Sequence, residues 1–165
     1  MSGVIHKLDI DDWDDLRGLF LEFSASPHYQ KLDLNLNTMK SYFLISQQHE
    51  KYAILGLRDH SKLVGFCIIY EIMVPGVAAP NGRISLIPKS FILGLYVKTG
   101  TVRELVQQFS DAIDEWAIRQ GHIEIIGNCR MGLGSRAAGL FGYREKYKVM
   151  AKSLAKKVSD VEEVV

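Results

Sequence analysis

The sequence predicts an α/β domain of the mixed-sheet kind, a central sheet flanked by helices, and three observations carry that prediction. Residues 52–57, 63–72 and 91–97 are runs of β-branched and aromatic side chains with the composition of strands. Leu16, Leu19, Phe20 and Phe23, and again Leu105, Phe109, Ile113 and Trp116, recur at the three-to-four spacing of a helix face. The second of these helices stands between two strand-like stretches. Strand, helix and strand together take about 35 residues, the size of a right-handed parallel crossover.

Taken in order, residues 4–8 read as a short strand. The acidic run Asp9, Asp11, Asp12, Asp14 and Asp15 then caps a helix start, because carboxylates there meet unpaired amides and the positive end of the dipole. That helix carries Trp13 with the four apolar residues named above, and SASPHYQ ends it. A second helix covers 36–45, with Met39, Tyr42 and Phe43 inward. Residues 58–62 are polar and join the strands 52–57 and 63–72 as a hairpin loop. The stretch 74–90 holds Pro75, Gly76, Pro80, Gly82 and Pro88, and is expected to be a long mobile loop. Residues 91–97 are apolar on both faces, as in a central strand.

Thr101 and Glu104 fit a capping box for the next helix, whose stripe includes Ala112 and Ala117 and which Gly121 stops. Residues 122–126 are the returning strand. RMGLGSRAAGLFGY reads as a glycine-loosened loop and short helix, and 143–154 as a last extended segment. One domain is expected over 1–154, with 155–165, AKKVSDVEEVV, a fraying tail.

The composition narrows the function classes. At 165 residues with 47% apolar residues and 4 prolines, the chain supports one core. Twenty Lys and Arg against 19 Asp and Glu leave a net charge of +1, so no global field draws nucleic acid, anionic lipid or an acidic substrate. Cys67 and Cys129 lie in apolar sequence and outside any CxxC, as reduced buried thiols. The five histidines are scattered, so no metal is expected. No apolar run reaches the roughly 18 to 20 residues of a membrane span, and the first residues lack a signal core. The expectation is a cytoplasmic protein. A serine hydrolase elbow is missing, and Gly132-Leu-Gly-Ser135 lacks the ending of a phosphate loop.

Three stretches carry a more specific pattern. KLVGFCIIYEI opens on Val64-Gly65 after a hairpin. FILGLYV leads through a turn into the helix that ends at DEWAIRQGHIEIIG, a helix, glycine, strand step. AAGLFGYREKYKVMAKSL closes the chain through Gly142-Tyr143 and a final strand-like run. In this order, over nearly all of 3–154, they resemble the GNAT superfamily of acyl-CoA-dependent N-acyltransferases.

The resemblance implies a sheet whose central parallel strands splay, so that the pantetheine arm of acetyl-CoA or CoA lies between them as a pseudo-strand. The implied cofactor contacts are Leu95, Tyr96 and Val97 through their backbone, Gly100, Thr101, Val102 and Arg103 beside the pyrophosphate at a helix amino end, and Asn128 and Ser135 on the arm. The acceptor is implied to be a primary amine of a protein, a polyamine or an aminated nucleobase, attacking the thioester directly in a ternary complex. The loops 74–90 and 29–37 would shape its pocket. Glu71 is the candidate general base, and Ser135, Tyr96 and Tyr143 are candidate proton donors to the leaving thiolate.

Two departures stand against the family pattern: Gly100 is the only glycine in the segment 98–104, and Ala138 occupies the place where many members carry a proton-donating tyrosine. They favour an alternative, a GNAT-shaped binding or assembly module without catalysis. The assembly state stays open, a homodimer included.

Overall fold

The computed structural model describes residues 3–25, 35–78 and 80–127. These belong to one compact unit, Met1–Gly127. The expected short helix, the final strand at 143–154 and the tail at 155–165 lie outside the described residues.

The elements follow the order β1 (Val4–Lys7), a 3-10 turn (Ile10–Asp12), α1 (Trp13–Ala25), α2 (Leu36–Gln48), β2 (Tyr52–Asp59), β3 (Lys62–Ala78), β4 (Ile84–Val97), α3 (Arg103–Arg119) and β5 (Ile125–Gly127). The strands lie in the sheet in the order β1-β2-β3-β4-β5. Neighbours are antiparallel except β4 and β5, which are parallel. The mixed sheet and its crossover through α3 are those expected from the sequence. Among the described residues no helix is long and apolar enough to cross a membrane.

Leu16, Leu19, Phe20 and Phe23 of α1 and Met39 and Phe43 of α2 bury against Ile54, Phe66 and Ile68 on one face of the sheet. Along β2 the side chains alternate: Ile54 and Gly56 face this core, while Leu57 lies near Leu105 of α3. α3 therefore packs on the opposite face. Residues 53–57 are buried throughout because both faces are covered.

The entry to α1 uses the acidic run as expected. Asp9 Oδ1 accepts from the Asp11 amide at 3.0 Å, and Asp12 Oδ2 accepts from the Asp9 amide at 2.9 Å. Arg58 then joins α1 to β2, with Nη2 2.6 Å from Asp12 and Nη1 2.7 Å from Asp15.

Five expectations are corrected. The loop at 58–62 contracts to a tight turn at His60 and Ser61, where His60 takes φ 57°, and Arg58 pairs within the hairpin. α2 runs on to Gln48, whose neighbour Gln47 donates from Nε2 to the Leu8 carbonyl at 3.0 Å.

The stretch 74–90 is no loop. β3 and β4 continue through it as a two-stranded ribbon, pairing Met73 with Pro88 and Pro75 with Leu86. The prolines fit because their nitrogens turn outward. The amides of Glu71 and Ser90 point away from the ribbon, to the carbonyls of Lys51 and Glu124. Two-residue steps put the nitrogens of Pro75 and Pro88 on those same outer sides, where no ladder bond is lost.

The capping box on α3 does not form. Val102 is the N-cap without a side-chain bond, and Thr101 Oγ1 instead donates to the Lys98 carbonyl at 2.8 Å. Lastly, β5 starts at Ile125 rather than His122. The amides of Gly121 and His122 close α3 by donating to Ile118 and Ala117, with Gly121 at φ 79°, which its missing Cβ permits.

Candidate functional site

The parallel ladder between β4 and β5 holds three pairs, Ser90 with Ile125, Phe91 with Ile126 and Ile92 with Gly127. At that step β4 is irregular. Ile69 of β3 pairs with Ile92 and Ile68 with Gly94, which leaves Leu93 as the extra residue of a bulge. A bulge bends its strand and increases the local twist, so β4 turns at Leu93, beside its last described pair with β5. Beyond it β4 keeps β3 on one side, through Leu95 with Cys67, Tyr96 with Phe66 and Val97 with Gly65. On its other side no strand among the described residues pairs with it.

The ladder tells which backbone groups face that open side. The Lys98 amide donates to the Val64 carbonyl of β3 at 2.8 Å. Alternation then turns the polar groups of Tyr96 to β3 and those of Leu95 and Val97 to the open side. Of the three residues expected to offer backbone, Leu95 and Val97 face the side without a partner strand among the described residues, and Tyr96 is spent on the ladder. The Tyr96 ring packs edge-on against Phe23 at 5.0 Å and tilts against Phe66 at 6.0 Å.

β4 passes directly into the amino end of α3. Gly100 makes the turn at φ 90°, a conformation that a side chain would strain. No side chain caps α3; the Leu105 amide donates to the Val102 carbonyl at 3.1 Å, and the amides of Arg103 and Glu104 before it form a helix start of the kind that suits an anion. Glu104 stands in this first turn and carries the sign that opposes an anion. Lys98, a candidate to offset it, is paired with Glu22 at 2.8 Å, and this bond raises its pKa. Arg103 is exposed and makes no ion pair among the described residues.

Where β4 and β5 are paired, the side chains beside them form a chain of hydrogen bonds. Ser90 Oγ lies 2.7 Å from His122 Nδ1, His122 Nε2 lies 2.8 Å from Glu71 Oε2, and Lys51 Nζ lies 2.6 Å from Glu71 Oε1. Lys89 pairs with Glu124 beside it. Lys51 above all, and then His122, hold the Glu71 carboxyl below the usual carboxylate range, against the opposing effect of its burial. In the tautomer that carries the proton on Nε2, His122 donates a hydrogen bond to the Glu71 carboxylate and its Nδ1 accepts from the Ser90 hydroxyl.

Glu71, the candidate general base, lies within β3, which runs on to Ala78 rather than stopping at 72, and both its oxygens are engaged. Sequence reasoning missed Lys51, Ser90 and His122. Ser90 falls in the stretch read as a loop, and its link to His122 spans 32 residues.

On the other face Tyr52 stacks on Tyr70, with ring centroids 4.7 Å apart, and Tyr42 and Phe91 extend the row. Burial, with Tyr70 and Tyr42 adding to it, raises the Tyr52 pKa. Burial also pushes the Cys67 thiol up, which leaves it inert as a nucleophile. Asn128, Ser135 and Tyr143 lie outside the described residues, as does most of the loop expected at 29–37.

No family model and no curated protein matches the chain. Solved structures do. The aminoglycoside N-acetyltransferase AAC(6')-Iy, in complex with a CoA bisubstrate analogue, superposes with a TM-score of 0.71 at 14% identity, over 93% of this chain and 98% of that one. A ribosomal-protein-alanine N-acetyltransferase from Brucella melitensis biovar Abortus 2308 gives 0.62 at 15% identity, over 93% and 100%. A GNAT family acetyltransferase from Staphylococcus aureus gives 0.64 at 16% identity, again over 93% and 100%.

Proposed function

We propose that this chain, which has the GNAT fold, transfers an acyl group, acetyl in the simplest case, from acetyl-CoA to a primary amine. The observation that carries the reading is the bulge at Leu93. There β4 passes its last described pair with β5 and turns the backbone of Leu95 and Val97 to a side that no strand among the described residues pairs, and the same strand ends at a helix without a side-chain cap. An extended chain that carries amides along its length and a diphosphate at its end complements both features. The CoA complexes among the structural neighbours support the same cofactor.

On this reading Leu95 and Val97 bond the pantetheine arm, and the backbone of Gly100, Thr101, Val102 and Arg103, with the Arg103 guanidinium, meets the pyrophosphate. Asn128 and Ser135 remain proposed contacts of the arm. The amine nitrogen attacks the thioester carbonyl carbon, the carbon–sulfur bond breaks, the nitrogen loses a proton and the thiolate gains one. Ser135, Tyr143 and Tyr96 are the proposed hydroxyls for the second transfer. With both oxygens engaged, Glu71 serves the first only through water or through its hold on His122. Neighbours that acetylate nitrogen of aminoglycosides and of a ribosomal protein support an amine acceptor in general.

Thermal unfolding with CoA and acetyl-CoA tests the proposal. A ligand at a hundred times its Kd that binds only the folded state adds about 2.7 kcal/mol, which raises Tm by roughly 5 to 10 °C for a chain of this size. A Tm unmoved by millimolar CoA and acetyl-CoA contradicts the proposal and favours the alternative, a module that keeps the fold without the chemistry.

A further inference from the structure

The chain Ser90–His122–Glu71–Lys51 enters the roles just given only through Glu71 and its hold on His122, although two of its members are buried. Ser90 is 0% exposed and His122 4%. It sits where β4 and β5 are still paired. Glu71 belongs to β3, Ser90 to β4, Lys51 to the start of the β2–β3 hairpin, and His122 to the connection from α3 into β5. Two further bonds join the same pieces: the Ser90 amide donates to the Glu124 carbonyl at 3.1 Å, and Lys89 pairs with Glu124.

β5 has three ladder pairs among the described residues. The Trp116 ring meets His122 edge-on at 6.3 Å and holds the imidazole from the helix side. Serine, histidine and carboxylate stand in the order of a nucleophilic triad, yet the Ser90 hydroxyl is sealed from any substrate. Its geometry suits holding, not attack.

We propose that Ser90, His122 and Glu71 are positioning residues, a buried clamp that fixes β5 against β4 at the closed end of the divergence and so sets the width of the slot beyond it. That the slot takes an acyl carrier rests on the function proposed above; the clamp itself rests on the bonds. Each bond is fully satisfied in one proton arrangement, with Glu71 accepting, His122 Nε2 donating and Ser90 donating to Nδ1. Removing either end leaves a buried polar group without its partner, and the connection from Gly121 to Glu124 loses its anchor.

Amide hydrogen exchange resolved to single residues, together with calorimetric CoA binding, tests this on Ser90→Ala, His122→Phe and His122→Gln. Ser90→Ala and His122→Phe are expected to speed exchange at Ile125–Gly127 tenfold or more, to leave residues 53–57 of β2 unchanged, and to weaken CoA binding about tenfold. His122→Gln keeps one donor for Glu71 and one acceptor for Ser90, and is expected to restore both. Exchange that accelerates equally in β2 and β5 overturns the clamp in favour of a general stability role. Unchanged exchange in β5, or a Gln variant as defective as the Phe variant, overturns it too. A wild-type chain that binds no CoA while β5 still loosens in the variants supports the clamp and defeats the transferase reading instead.

Discussion

Glu71 accepts one hydrogen bond from Lys51 and one from His122, and both favour its ionised form. Its pKa lies below the ordinary carboxylate value. A carboxyl group whose folded pKa is depressed contributes stability that is present above the unfolded value, about 4.3, and that is lost as pH falls through the lower folded value. Glu71→Gln should therefore cost about 1 to 2 kcal/mol at pH 7, and its gap from wild type should close as the pH falls from about 4.5 toward 3. Urea unfolding across that range measures it, and a gap independent of pH contradicts the assignment. Asp12 behaves in the same sense: burial pushes its pKa up, but the Asp9 amide, Arg58 and His6 together outweigh it. At this scale the sequence made Glu71 legible as an ionisable residue among strands. Its partners were not legible, because Lys51 and His122 lie 20 and 51 residues away and only the sheet brings them together.

The proposed function rests on β4, whose sequence was half legible. Residues 91–97 announced a central strand by being apolar on both faces, and the strand runs on from Ile84. Pro88 concealed the earlier part. Proline signals a break only where its nitrogen would have to donate, and that depends on which side of the ladder it faces, a fact fixed by neighbours rather than by local composition. The bulge was equally hidden, since Ile-Leu-Gly-Leu gives no local sign that Leu93 is unmatched. Deleting Leu93 makes the pairing of Ile92 with Ile69 and of Gly94 with Ile68 continuous. The variant should still unfold cooperatively, keep β4 regular alongside β5 and lose CoA binding by tenfold or more. Undiminished binding by a folded variant would remove the bulge from the account. In α3 the stripe and the stop at Gly121 were plain, while the capping box failed because Thr101 bonds back to Lys98. That failure leaves the amides of Arg103 and Glu104 without a side-chain cap.

For the molecule as a whole, the near-neutral charge hides local assignments. Much of the acidic start is consumed inside the fold, with Asp9 capping the entry to α1 and Asp12 and Asp15 held by Arg58. Lys98 is taken by Glu22, so the amino end of α3 keeps Arg103 as its exposed cation on that turn. Arg103→Glu should abolish the CoA-induced rise in Tm without lowering the Tm of the free chain by more than about 1 to 2 °C, as expected for an exposed position. A full rise in the variant would detach Arg103 from the pyrophosphate. The order of elements was readable because each is amphipathic or apolar in its own right. The slot of the proposed function was readable only through resemblance, since it depends on how two strands run relative to each other.

The most direct test follows the backbone of β4 by amide hydrogen exchange, residue by residue, with and without saturating CoA. The account predicts that Leu95 and Val97 exchange at least tenfold more slowly once CoA is bound, while Tyr96, already bonded to β3, changes little. Equal protection at all three residues, or none at Leu95 and Val97 under conditions where CoA binds, would contradict the claim that β4 receives the carrier as a neighbouring strand.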